Sequence, residues 1–403
     1  MDFSNKDNII LCIFAEIAQL CVNDRVMNTE FFIEMLDIES TSGRERDFAD
    51  FLAERMAGPG RRVETFEVPA MAGDCPDGCG IPVNLMVSWG EPKVVFCTHL
   101  DTVPPYIAPS VEVMEDGDMK IKGRGSCDAK GQIFAMWEAC LELEHRGCRD
   151  FALLLLAGEE TGSFGAKAFN GSAVTAGDWV IIVGEPTDNH MTSASKGTKS
   201  FEVTFEGLPF HSGYPQYGRS AVEMFNDFVN ALRSIVFPKD EILGDTTWNI
   251  GRLVSDNPQN ILSERLSCRV YFRTTFESDQ MVCNVMKNMA GPDARLRFGR
   301  SRAQDGSDMV AKEIAPWQKC MSVKAFGGDA PTVYQTLEGF PTKPVAFGSD
   351  APQLKCFDRK ILCGPGSILV AHRPEEHIML SDLKAAVASY IRMYTCLTGN
   401  KMN

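Results

Sequence analysis

At 403 residues and 44% apolar side chains, the chain is long enough for two or three domains with full cores. Its net charge of −14 and pI near 5.0 exclude the basic surface that phosphate binding needs, and with it nucleic acid as a partner. Fourteen scattered cysteines, with no Cys-x-x-Cys pair, read as reduced thiols of a cytoplasmic protein.

In chain order, the apolar stretch 9–22 is broken by Glu16. It is too short for the roughly 20 uninterrupted apolar residues of a membrane span, and no small-residue cleavage site follows. It reads as an amphipathic surface helix on an appendage, with no membrane partner. Residues 27–56 read as helical, with Ile33 and Leu36 and then, after Ser42-Gly43, Phe48, Phe51 and Leu52 on an apolar face. Cys75 and Cys79 stand in a Gly/Pro stretch that reads as a plain loop, metal binding or oxidation being the alternative.

From 94 to 185 short apolar strands alternate with helices, the mark of a mixed, mostly parallel, helix-flanked α/β sheet. The run 94–97 is followed by His99 and Asp101, the run 151–157 by Glu159 and Glu160, and the run 180–184 by Glu185. Ligands in such sheets collect outside the carboxyl ends of the strands, so these charged residues point at one pocket. Asp128 opens a helix whose apolar stripe is Ile133, Met136, Trp137, Cys140 and Leu141. The pattern suits a two-metal hydrolase site, in which a carboxylate can bridge two ions and an imidazole normally cannot.

Near Ser195 the pattern changes. Phe201, Val203 and Phe205 alternate as a strand, and Ser220 with Glu223 forms a capping box ahead of a helix to about 234. Strands at 247–251 and 266–273, a helix at 281–289 and a strand at 295–298 complete a β-α-β-β-α-β order, that of a ferredoxin-like α+β domain. The expected organisation is a catalytic domain in two parts, 1–194 and 304–403, interrupted by an insert at 195–303 and closed by a helix at 383–394. The similar segments FGGDAP at Phe326 and FGSDAP at Phe347 are too short for a repeat. Of six histidines, His99 and His372 are the metal candidates, while His145, His190 and His377 stand in polar contexts and read as exposed.

Six segments, THLDTVPP from Thr98, GRGSCDAKG from Gly123, AGEETGSFGAKA from Ala157, VGEPTDN from Val183, HSGYPQYGRSAVE from His211 and GPGSILVAHRPEEH from Gly364, together resemble one family. It is the di-zinc metallopeptidase family of acetylornithine deacetylase, succinyl-diaminopimelate desuccinylase, aminoacylase-1 and the glutamate-releasing carboxypeptidases. The resemblance implies two Zn²⁺ per subunit, with Co²⁺ or Mn²⁺ also acceptable to these ligands. One ion falls to His99 and Glu185, the other to Glu160 and His372, with Asp128 bridging. Asp101 is implied behind His99, fixing its tautomer, and Glu159 as the general base. His211 of the insert is implied to reach a partner subunit's site and hold the oxyanion, so that the insert is a dimerisation and lid domain and the protein a homodimer. Gly364, Gly366 and Ser367, with Asn260 and Arg273, are implied to hold the substrate's carboxylate. The expected substrate is an N-acyl amino acid of the acetylornithine type, on the strength of the GPGSI-x-x-AH and SDAP segments. A metallo-exopeptidase acting on short peptides with the same site is the alternative.

Overall fold

The computed structural model describes residues 21–22, 25–73, 75–76, 78–172, 178–291, 294–296, 300–302, 308–310 and 314–399. The helix expected at 9–22 lies outside them up to residue 20, and Cys21–Val22 is instead a short strand paired with Arg25–Val26. The chain forms two compact units. One comprises the described residues up to Ser193, Tyr334–Lys343, and those from Ser349 onward; the other comprises Ala194–Val333 and Pro344–Gly348.

The first unit is built on a six-stranded sheet ordered Arg359–Leu362, Val180–Val183, Val94–His99, Phe151–Leu156, Val83–Trp89, Arg62–Glu67. The first four strands run parallel and the last two pair antiparallel. Val94–His99 and Phe151–Leu156 are buried along their whole length, as continuous apolar strands covered on both faces must be. Each such leucine or valine contributes about 1.5 to 3 kcal/mol relative to exposure.

The 27–56 segment divides into helices Thr29–Asp37 and Arg46–Met56. Asn28 caps the first, its Oδ1 accepting from the Phe31 N–H at 3.1 Å, and Gly43 supplies the positive φ of 89° in the turn between them. Helix Lys130–His145 is buried around most of its circumference, so the stripe predicted from its sequence is too narrow. It packs between the sheet and helices Thr29–Asp37 and Leu380–Thr398, with Phe134 stacked on Phe32 at 4.9 Å. The terminal helix thus begins earlier and ends later than its periodicity predicts.

Glu45, at the start of Arg46–Met56, is fully buried, and burial first, then the neighbouring Asp101 charge, raise its pKa to about 8. A carboxyl whose folded pKa exceeds its usual value binds its proton more tightly in the native state. Stability is therefore lost as pH rises from the usual carboxylate range to about 8. Glu45→Gln, which mimics the protonated form, is expected to match wild type in Tm near pH 4.5 and to exceed it at pH 8. Equal melting at pH 8 would show that this carboxyl carries no such cost.

The second unit holds a four-stranded antiparallel sheet ordered Thr247–Val254, Arg265–Thr274, Gly197–Glu206, Met321–Gly327. Helices Ala221–Arg233 and Asp279–Met289 pack on it around Phe201, Val203, Phe228, Phe272 and Met286. The order is β-α-β-β-α-β with the ferredoxin-like arrangement. Ser220 caps its helix, accepting from the Glu223 N–H at 3.4 Å.

Two expectations are corrected. The fourth strand is Met321–Gly327, whereas residues 294–296 are irregular and 297–298 lie outside the described residues. The compact unit consequently runs to Val333 and does not end at 303; the predicted junction at Gln304 itself lies outside the described residues. Met321–Gly327 is an edge strand with only its first residue fully buried, so it carries almost no alternation to read. The FGGDAP segment starts at the end of this strand and FGSDAP leads into a turn of the first unit, so the two are not equivalent in structure. Among the described residues no helix is long and apolar enough to cross a membrane.

Candidate active site

Strand register brings the candidate residues to one edge of the first unit's sheet. His99 stands opposite Leu156 in one parallel pair, and Cys97 opposite Val183 in the next. The residues just beyond each strand end, Glu159 and Glu160 on one side and Glu185 on the other, therefore emerge beside His99. Gly158, at φ 67°, turns the chain from strand into the short helix Glu159–Gly162. Asp128 arrives just before helix Lys130–His145, and His372 from the loop ahead of strand His377–Met379. His372 sits at φ 63°, a left-handed conformation that histidine tolerates better than most residues and that is common at functional sites.

The side chains converge on Asp128. Its Oδ1 lies 2.9 Å from His99 Nε2 and its Oδ2 3.2 Å from His372 Nε2. His372 Nε2 is also 2.9 Å from Glu160 Oε1. His99 Nδ1 lies 2.9 Å from the Asp101 backbone carbonyl and 3.5 Å from its carboxylate. The Asp101 backbone carbonyl and carboxylate thus both lie on the Nδ1 side of His99, away from Asp128. The carboxylate also accepts from Ser42 Oγ at 2.7 Å and from the N–H groups of Glu159 and Glu160 at 3.0 and 3.2 Å. It pins the turn that presents both glutamates.

The site gathers buried carboxyl groups whose proton affinities are shifted by burial and by one another. Burial, helped by Asp350, Glu160 and Asp101 and opposed by His99, pushes Glu159 well above the carboxylate range. Burial with Asp128 and Glu159 does the same to Glu185, and burial raises Glu160. Asp128 moves the other way: burial opposes ionisation, but hydrogen bonds from His372 and His99 outweigh it and hold its carboxyl far below the usual range. Hydrogen bonds to Asp128 and Glu160 raise His372 to about 10, and His99 is also held well above the usual value, against its burial, by Asp101 and Asp128.

The donor chemistry fits a metal. His99, Asp128 and Glu160 each offer an atom within 4.8 Å of the others, and imidazole nitrogen with carboxylate oxygen is the ligand set of catalytic zinc.

The profile of peptidase family M20/M25/M40 matches residues 95–395. The chain belongs to this family. It is accordingly a metal-dependent hydrolase of peptide or amide bonds. A Peptidase M20 domain-containing protein of Schizosaccharomyces pombe is 33% identical, covering 89% of this chain and 82% of its own length. A "Probable carboxypeptidase" of Aspergillus terreus is 30% identical, covering 94% and 88%. Among solved structures, a tripeptidase of Staphylococcus aureus shares the fold with TM-score 0.70 at 18% identity, covering 92% of this chain and 98% of that one.

The other expected site residues of this M20 peptidase are placed within their own units. His211, Asn260 and Arg273 belong to the second unit. His211 is exposed, its Nδ1 accepting from the Gly213 N–H at 3.0 Å, and Asn260 is exposed too. Arg273 lies over the Tyr271 ring at 5.1 Å. Gly364 is corrected: its N–H donates to Thr187 Oγ1 at 2.9 Å, so it is not available to a substrate carboxylate. A Cβ at Gly364 would stand 2.0 Å from Gln132 Oε1, so glycine serves close packing there. Gly366 is buried at φ 75°, and Ser367 is half-buried. His145 is exposed as expected, whereas His190 and His377 are half-buried.

Two residues escape sequence reasoning. Asp350 is buried beside Glu159 and Glu185, and burial with the Asp101 charge raises it to about 7, against the His99 and Ser163 contributions. Glu376, which enters the sequence reading only within the segment from Gly364, is buried and bonded to the Asp128 loop. Only the SDAP and HRPEE segments around them carried a signal.

Proposed function

We propose that this chain is a two-metal exopeptidase of the carboxypeptidase type, cleaving the peptide bond next to a free C-terminal carboxylate. The observation that carries the reading is Asp128, whose two oxygens face His99 and His372 separately. One carboxylate shared between two imidazole arms is what a pair of metals needs. The carboxypeptidase direction, rather than the deacylase one, is supported by a relative named for that activity that matches 94% of the chain.

In this reading His99 and Glu185 hold one ion, Glu160 and His372 the other, and Asp128 both, with zinc the first choice and cobalt or manganese compatible. Bound there, the metals would polarise the scissile carbonyl and lower the pKa of water towards about 7. Glu159 takes the proton from the attacking water and returns it to the departing amine; its burial among carboxylates raises its proton affinity, as a base requires. Asp101 holds the Glu159 backbone in place. Gly366, Ser367, Asn260 and Arg273 receive the substrate's carboxylate, and His211 of a second subunit supports the developing oxyanion in a homodimer joined through the second unit. The setting is cytoplasmic.

A second reading, an N-acyl amino acid deacylase, is favoured by the likeness of the 364–372 segment to acetylornithine deacetylase. The zinc-loaded protein should release the C-terminal amino acid from dipeptides and N-blocked dipeptides with higher kcat/KM than acetate from N-acetylornithine or other N-acetyl amino acids. Amidating the peptide's C-terminus should abolish turnover. Hydrolysis of N-acetyl amino acids with no peptide turned over would replace the first reading by the second.

A further inference from the structure

Glu376 stands four residues after His372 and is 1% exposed. Its Oε1 accepts three backbone N–H groups, from Gly125 at 3.0 Å, Cys127 at 3.2 Å and Asp128 at 3.1 Å. Its Oε2 pairs with the Arg124 guanidinium, itself 3% exposed. Arg124 donates further, from Nε to the Pro105 carbonyl and from Nη1 to the Arg373 carbonyl, the latter in the turn that carries His372. The backbone repeats the tie, since the Gly123 N–H donates to the Glu376 carbonyl at 3.1 Å. One buried carboxylate thus joins the loop that ends in Asp128 to the turn that begins with His372.

We propose that Glu376 is a positioning residue that sets Asp128 and His372 in mutual register for metal. This rests on the metal reading given above. A charged carboxylate is required because both of its oxygens face donors. A glutamine would turn its NH₂ either towards the guanidinium or towards the three N–H groups, and one end would be left donor against donor. Partners behind the ligands of a metal site typically govern its affinity by about 10- to 100-fold.

The test is zinc affinity of the full-length protein, measured by competition with a chromophoric chelator, alongside the Tm of the metal-free form. Glu376→Gln is expected to weaken zinc binding by about 10- to 100-fold and to raise the zinc needed for half-maximal activity by the same factor. At saturating zinc, KM should stay within about twofold of wild type. A lower Tm with unchanged zinc affinity would mean a merely structural role and would overturn the proposal. Should Glu376→Gln not fold, Arg124→Lys serves instead: it keeps a positive charge at Oε2 but loses the fork that reaches Arg373, and the same loss of affinity is expected. If wild type itself bound no zinc, the metal reading would fall, a result separable from tight zinc binding by both proteins, which removes only the role given to Glu376.

Discussion

Glu159→Ala is expected to lower kcat by about 10² to 10⁴ or more while the protein keeps its full complement of metal. The substitution removes the carboxyl but leaves the Glu159 N–H, which is the group that Asp101 accepts from at 3.0 Å. The turn should therefore still present Glu160 to His372 and Asp128. Metal content by elemental analysis and steady-state kinetics on a dipeptide decide the matter together. Activity near wild type would remove Glu159 from the reaction, and loss of metal along with activity would make it a ligand and not a base.

The second large effect is expected at Asp128. Alanine there takes away the one carboxylate that both imidazoles face, at 2.9 and 3.2 Å. Metal content should fall, and activity should drop by more than the about 10- to 100-fold that loss of an outer partner costs. Asp128→Asn is the sharper version, because it keeps the shape and removes the negative charge that the proposed metals would need. If either variant held two metals and turned over substrate normally, the shared-carboxylate site would be wrong.

Much of this site was legible because parallel strands end in a common direction. A charged residue right after a buried apolar run stands at a strand end, and that is where His99, Glu159, Glu160 and Glu185 lie. The insert's first three strands and both helices were likewise readable, since Phe201, Val203 and Phe205 alternate and Ser220 caps a helix. What failed did so for identifiable reasons. Met321–Gly327 is exposed along most of its length, so pairing with Gly197–Glu206, and not its own pattern, makes it a strand. Helix Lys130–His145 is covered from several sides, which erases the periodicity of a half-buried helix. Glu376 looks like any surface acid in sequence, because its donors are the N–H groups of residues some 250 positions away. The second task of the Asp101 carboxylate, holding the N–H groups of Glu159 and Glu160, is not legible, because spacing places a residue near a histidine without showing its other partners.

The strand register described above makes this site a property of the whole aligned sheet. Its donors run from residue 99 to residue 372 and meet only when Val94–His99, Phe151–Leu156 and Val180–Val183 are correctly aligned. A slip of one residue would turn neighbouring side chains to opposite faces and scatter the ligands. Metal uptake therefore discriminates between properly and improperly aligned chains, and free metal above its dissociation constant would select the native sheet by mass action. Scarcity of metal during synthesis would withdraw that selection as well as the chemistry.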